Sequence, residues 1–159
     1  MAETELHILI VYASQSGHAQ SLADAVERGA WAEGGEVRKL HGTLAGIDDL
    51  LWCRALVIVT PENFGYMAGA VKDFFDRTFE PAQGRVSNLP YALIVRAGND
   101  GTFARAAVER IARGYPLKPV AEPISWVGES EAPIAACEEL GQLLVAGLML
   151  GIFGARVSC

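Results

Sequence analysis

The chain has 159 residues, of which 51% are apolar and 20% charged, with a formal net charge of −6. That supports a substantial core within one domain over 1–159, and the acidic balance argues against nucleic acid as a partner. The opening MAETELH has neither the basic nor the apolar stretch of a secretion signal, and the uncharged run GQLLVAGLMLGIF, residues 141–153, falls short of the roughly 20 residues a bilayer span requires.

In chain order, HILIVY at 7–12 is a short continuous apolar run of the kind that forms a buried strand. The hydroxyl-rich turn Ser14-Gln15-Ser16-Gly17-His18 follows, and helical spacing starts at once with Ala19, Leu22, Ala23, Val26 and Ala30 on one face, ending at Gly34-Gly35. A second strand is expected at 36–41 and a short helix at Ile47–Trp52, with Asp48-Asp49 in its first turn. ALVIVT at 55–60 is a third strand. The next helix sets Ala70, Val71, Phe74, Phe75, Thr78 and Phe79 on one face as core and is expected to halt before Pro81. Within it, Lys72 and Asp76 have the spacing of a surface ion pair. YALIVR at 91–96 is a fourth strand, a helix runs from Thr102 to Arg113, and 118–126 is a fifth strand. A last helix occupies 131–150, so that 141–153 reads as a buried helix or a homo-oligomer contact.

Alternation of buried strands and helices specifies an α/β, three-layer sandwich around a five-stranded parallel sheet. Cys53, Cys137 and Cys159 are odd in number and far apart, which suits core or surface thiols in a reducing, cytoplasmic setting and offers no metal-ligand spacing.

Three segments follow strands and so fall at one sheet edge: 14–19, 60–78 and 96–102. In the first, Gly17 and the helix N-terminus make an anion cradle built from backbone N–H groups. The first Arg or Lys of the chain is Arg28, so the turn supplies no cation. Neither G-x-x-x-x-G-K-[ST] nor G-x-G-x-x-G occurs, which removes P-loop and Rossmann nucleotide sites. A receiver domain would need acids where Ala13-Ser14 and Thr60-Pro61 stand, and the G-x-S-x-G of a serine hydrolase is absent.

The second segment carries Pro61, Phe64-Gly65, Met67-Ala68-Gly69 and Lys72-Asp73-Phe74-Phe75-Asp76. With the first turn, it resembles the flavodoxin-like FMN-binding superfamily over nearly the whole chain. Within that superfamily it is most similar to NAD(P)H-dependent FMN reductases and to tryptophan-repressor-binding-protein-type NAD(P)H:quinone oxidoreductases. The resemblance implies a flavodoxin-like sheet in the order 2-1-3-4-5, with ligand at the carboxyl ends of the strands where the winding reverses, as flavodoxin itself exemplifies. It implies that Ser14, Gln15, Ser16, Gly17, His18 and Ala19 surround an FMN phosphate and that Pro61, Glu62, Asn63, Phe64 and Gly65 line ribityl and isoalloxazine. Ala97, Gly98, Asn99, Asp100 and Gly101 then approach the pyrimidine end through backbone N–H groups. Ala19 stands where flavodoxins usually have Thr, so one phosphate hydroxyl is missing, whereas Gly17-His18 matches the quinone-reductase form.

Two functions follow from the resemblance. One is an enzyme that takes a hydride from NAD(P)H and passes electrons to a small-molecule acceptor, a quinone or second flavin. The other is a carrier of single electrons between proteins. Flavodoxins commonly place an aromatic from the third loop over the ring, but RAGNDGT has none before Phe103. An open flavin face favours the reductase.

Overall fold

β1 (His7–Tyr12) lies inside the sheet because it has no polar face to show solvent: Ile8 to Val11 are all fully buried. The computed structural model describes residues 4–154; Cys159 lies outside them. β1 pairs in parallel with β2 (Glu36–His41) on one side and β3 (Ala55–Asn63) on the other, and β3 pairs in parallel with β5 (Pro90–Ala97). A two-residue β4 (Tyr66–Met67) folds back antiparallel on the end of β3.

The run 118–126 forms two short strands instead of the single one expected. β6 (Lys118–Pro119) pairs with the start of β5 and β7 (Ile124–Val127) with its end, both in parallel. Pro119 and Pro123 flank the break, and each lacks the N–H a continuous ladder would use. The order β2-β1-β3-β5, then β6 and β7 at one edge, is therefore the expected 2-1-3-4-5 with a broken fifth strand and an added hairpin.

The two faces have separate cores. α1 (His18–Ala32) and α5 (Ile134–Leu150) cover one face, packing Leu22, Val26, Leu140 and Leu144 against Ile8, Ile10 and Val57. The other carries α2 (Ile47–Trp52), α3 (Gly69–Ala82) and α4 (Thr102–Gly114) over Leu9, Val11, Leu56 and Ile58. All five expected core positions of α1 are buried. α2 starts as expected, with Asp49 accepting the Gly46 N–H at 2.9 Å.

Two expectations fail in α3. The helix continues through Pro81 to Ala82, its end closed by the Gln83 N–H on the Glu80 carbonyl at 3.3 Å; a proline this near the C-terminus forfeits little helix beyond it. Phe79 is 39% exposed, packing edge-on against Tyr115 instead of entering the core. Thr78 is buried, its hydroxyl 2.8 Å from that of Tyr115 and 2.9 Å from the Phe74 carbonyl. Lys72 and Asp76 do pair, at 2.6 Å. Cys53 and Cys137 are buried in opposite cores, and no helix among the described residues is long and apolar enough to cross a membrane.

Candidate functional site

The loops after β1, β3 and β5 meet at the carboxyl edge of the sheet, beside the point where the chain, having wound outward from β1 to β2, returns to β3. The first loop is shaped by Gly17, which caps α1 in the left-handed region at φ 90° and ψ −10°. Its N–H donates to Ser14 Oγ at 3.0 Å, closing the turn on itself, and its carbonyl accepts the first helical bond from Ser21. The N–H groups of His18, Ala19 and Gln20 stand at the open end of the helix, where no preceding turn supplies acceptors. Gln15, Ser16, Gly17 and His18 are exposed, and Ser16 Oγ lies 3.1 Å from His18 Nδ1. Ala19 differs, since its methyl is 2% exposed and belongs to the core, leaving only its backbone to the turn.

The second loop is a tight hairpin. β3 runs three residues further than expected because Glu62 and Asn63 pair with Met67 and Tyr66. The two residues between, Phe64 (φ 52°) and Gly65 (φ 71°), both have positive φ, the signature of a type I′ turn. Glycine suits that position, but a phenylalanine there is strained by about 1–2 kcal/mol, and the Phe64 side chain is fully exposed. Thr60 fastens the base of the hairpin: fully buried, it accepts the Ala68 N–H at 2.9 Å and donates to the Pro61 carbonyl at 2.8 Å. Glu62 turns away from its neighbours, and its Oε2 accepts the Ala104 N–H in the first turn of α4 at 3.0 Å.

In the third loop Ala97 is the last residue of β5 and is buried, so its contribution is also confined to the backbone. Gly98, Asn99 and Asp100 are exposed, and Gly101 caps α4 at φ 87°. An additional wall comes from residues that local sequence patterns did not single out. Trp126, in β7, packs edge-on against His18 with ring centroids 5.1 Å apart. The Arg96 guanidinium lies over the Trp126 ring, 4.4 Å from its centroid, and donates to the carbonyls of Ala97, Trp126 and Gly128 at 2.9–3.2 Å. The structure thus brings a cation to the edge that the first turn does not provide in sequence.

Together the loops offer hydroxyls, open N–H groups and aromatic surface, an arrangement for holding a ligand by phosphate and ring. The groups that burial shifts most, Tyr115 and Cys137, each pushed up to about 12, lie beyond the end of α4 and in α5, away from the loops. Among the described residues no cluster of three or more His, Cys, Asp or Glu could hold a metal ion. A groove of about 580 Å³ starts at Gly65 and Tyr66 and follows Phe103, Ala107, Arg110 and Ile111 along α4.

The family model described as Flavodoxin matches residues 10–111, from β1 through most of α4, and so contains all three loops. A flavodoxin from Aquifex aeolicus is 32% identical over 80 residues, which cover 50% of this chain and 43% of that relative, so less than half of the relative's length is matched. Among solved structures, an archaeal flavodoxin is similar with a TM-score of 0.77 at 17% identity, covering 89% of this chain and 98% of its own. A flavodoxin, WrbA-like protein from Agrobacterium tumefaciens gives 0.75 at 17% identity, covering 92% and 99%. The flavodiiron core from Synechocystis gives 0.78 at 18%, covering 93% of this chain and 37% of that one. At such identities the structural likeness shows the flavodoxin-like fold alone, but the family model spans more than half of the sequence, and the chain belongs to the flavodoxin family.

Proposed function

We propose that the protein is a flavodoxin-type electron carrier that binds FMN at the junction of the three loops. The supporting observation is the match to the flavodoxin model over a segment containing all three loops, and membership of that family implies FMN. The residues fit the group: α1 presents an open N-terminus, a left-handed Gly17 and exposed hydroxyls where a terminal phosphate dianion needs donors. In this reading Ser14 to Ala19 hold the phosphate, with Ala19 contributing its backbone only. Pro61 to Gly65 flank the ribityl and ring, and Ala97 to Gly101 meet the pyrimidine end. FMN, when bound, supplies the redox chemistry, while the chain binds it, orients it and limits solvent around it.

The family match favours the carrier over the NAD(P)H-dependent reductase to which the third loop pointed. The exposed, aromatic-free stretch Gly98 to Asp100 is the observation that keeps the reductase as a second reading, with a quinone or flavin as acceptor. Anaerobic mixing of the FMN-loaded protein with NADH and with NADPH separates the two. A carrier keeps its oxidised flavin absorbance over many minutes and loses it with dithionite. Bleaching by either nucleotide at a catalytically useful rate would replace the carrier with the reductase.

A further inference from the structure

Glu62 reaches across the site to a helix that begins about forty residues later in the chain. The N-terminus of α4 needs an acceptor for its first-turn N–H groups, and it cannot take one from its own cap, because Gly101 has no side chain and is buried. Ala104, the third residue of the helix, is fully buried, so water is no ready substitute. Glu62 Oε2 takes the Ala104 N–H at 3.0 Å, supplying in trans what an N-cap side chain normally does, with a charge that favours the positive end of the helix.

This bond has a second consequence. Glu62 immediately precedes the Asn63–Tyr66 turn, so fixing its side chain fixes the hairpin. At the tip, a Cβ built on Gly65 would lie 3.9 Å from Phe103, the second residue of α4. The second loop is therefore held to the start of α4 by the Glu62–Ala104 bond, with the third loop leading directly into the same helix turn.

We propose that Glu62 is a positioning residue: its carboxylate, seated on the N-terminus of α4, clamps the hairpin to the third loop and so sets the shape of the isoalloxazine berth without contacting the flavin. This rests on the FMN reading above. It separates Glu62 from its neighbours Asn63 and Phe64, and it makes the berth a product of one long-range contact.

The test uses full-length protein with Glu62→Ala and Glu62→Gln. In the flavin-free protein, Glu62→Ala is expected to speed amide exchange at Ala104 and across 62–67 by roughly threefold to thirtyfold, the range for removing a helix cap. Its affinity for FMN and for riboflavin should fall by the same factor, since the phosphate cradle is untouched. Glu62→Gln retains a neutral acceptor of nearly the same reach, and should restore part of the protection and part of both affinities, leaving each closer to the parent than Glu62→Ala does, because a neutral acceptor bonds more weakly than a charged one. Unchanged exchange in Glu62→Ala would overturn the proposal, as would faster exchange with unchanged flavin affinity, or a loss confined to FMN. Should Glu62→Ala fail to fold, Glu62→Gln decides: if it binds flavins far more weakly while Ala104 stays protected, the charge acts on the flavin directly and the clamp is wrong. If the parent binds neither flavin, the FMN reading falls and takes the proposal with it. If the parent binds both and Glu62→Ala binds them equally well, only the proposal falls.

Discussion

Gly17 at the start of α1 has φ 90° and ψ −10°; Gly101 at the start of α4 has φ 87° and ψ −8°. Both helices begin at the same sheet edge, neither cap residue has a side chain, and each presents the same kind of dipole and unpaired N–H groups. What differs is the ground in front of them. At the start of α1 lie exposed Gln15, Ser16 and His18, and among the described residues no carboxylate is bonded to the backbone of the first turn. Before α4 lies Glu62, bonded to Ala104. A helix N-terminus attracts an anion in either case, and where the fold supplies one internally the end is no longer open to a ligand. In the reading proposed above, the phosphate goes to α1 because the other start is already occupied.

The largest effect expected from this contrast concerns stability. At Gly101 a Cβ would sit 3.2 Å from Ala97 Cβ and 3.3 Å from Val95 Cγ1, whereas at Gly17 it would meet nothing within 4 Å. Both positions strain alanine by about 1–2 kcal/mol, and crowding adds roughly 1–3 kcal/mol at Gly101 alone. In urea unfolding of the flavin-free protein, Gly101→Ala should therefore lose about 3 kcal/mol, the sum of those two costs, and Gly17→Ala about half as much. Equal losses would show that the two starts are packed alike.

A smaller effect concerns the ligand. Ser16 has its hydroxyl beside His18 at the open start. Ser16→Ala should weaken FMN by roughly tenfold to a hundredfold, the worth of about 1.5–3 kcal/mol for a hydrogen bond to a charged group. Riboflavin, which has no phosphate, should bind the variant as it binds the parent. Fluorescence quenching of each flavin measures both, and equal losses would take the phosphate away from this turn.

The same contrast shows what the sequence could disclose. α1 was legible because strand, turn and helix are contiguous: the apolar run 7–12, Gly17 and the Ala19–Ala30 face lie within one short stretch. β2, β3 and β5 were legible for a similar reason, each being a local run. The broken edge was not, because Val120, Ile124 and Trp126 give 118–126 the look of one strand and only Pro119 and Pro123 signal the gap. Phe79 has core spacing but faces the rim, where periodicity cannot distinguish half-buried from buried. Least visible were the contacts that join loops. Glu62 with Ala104, and Arg96 and His18 with Trp126, pair residues 30 or more positions apart; no local pattern encodes them. The placement of Glu62 among flavin-lining residues came from its neighbours in sequence, which do not announce its bond to Ala104.

The most direct measurement is a comparison of backbone amide shifts in ¹⁵N-labelled protein saturated with FMN and with riboflavin, which differ only in the phosphate. The differences are expected at Gln15 to Gln20, around the start of α1, while Gly101 to Ala104 respond identically to both ligands. Phosphate-dependent shifts at Gly101 to Ala104 with none at the α1 turn would contradict the assignment of the two helix starts, and failure to bind FMN at all would remove the flavin from this site.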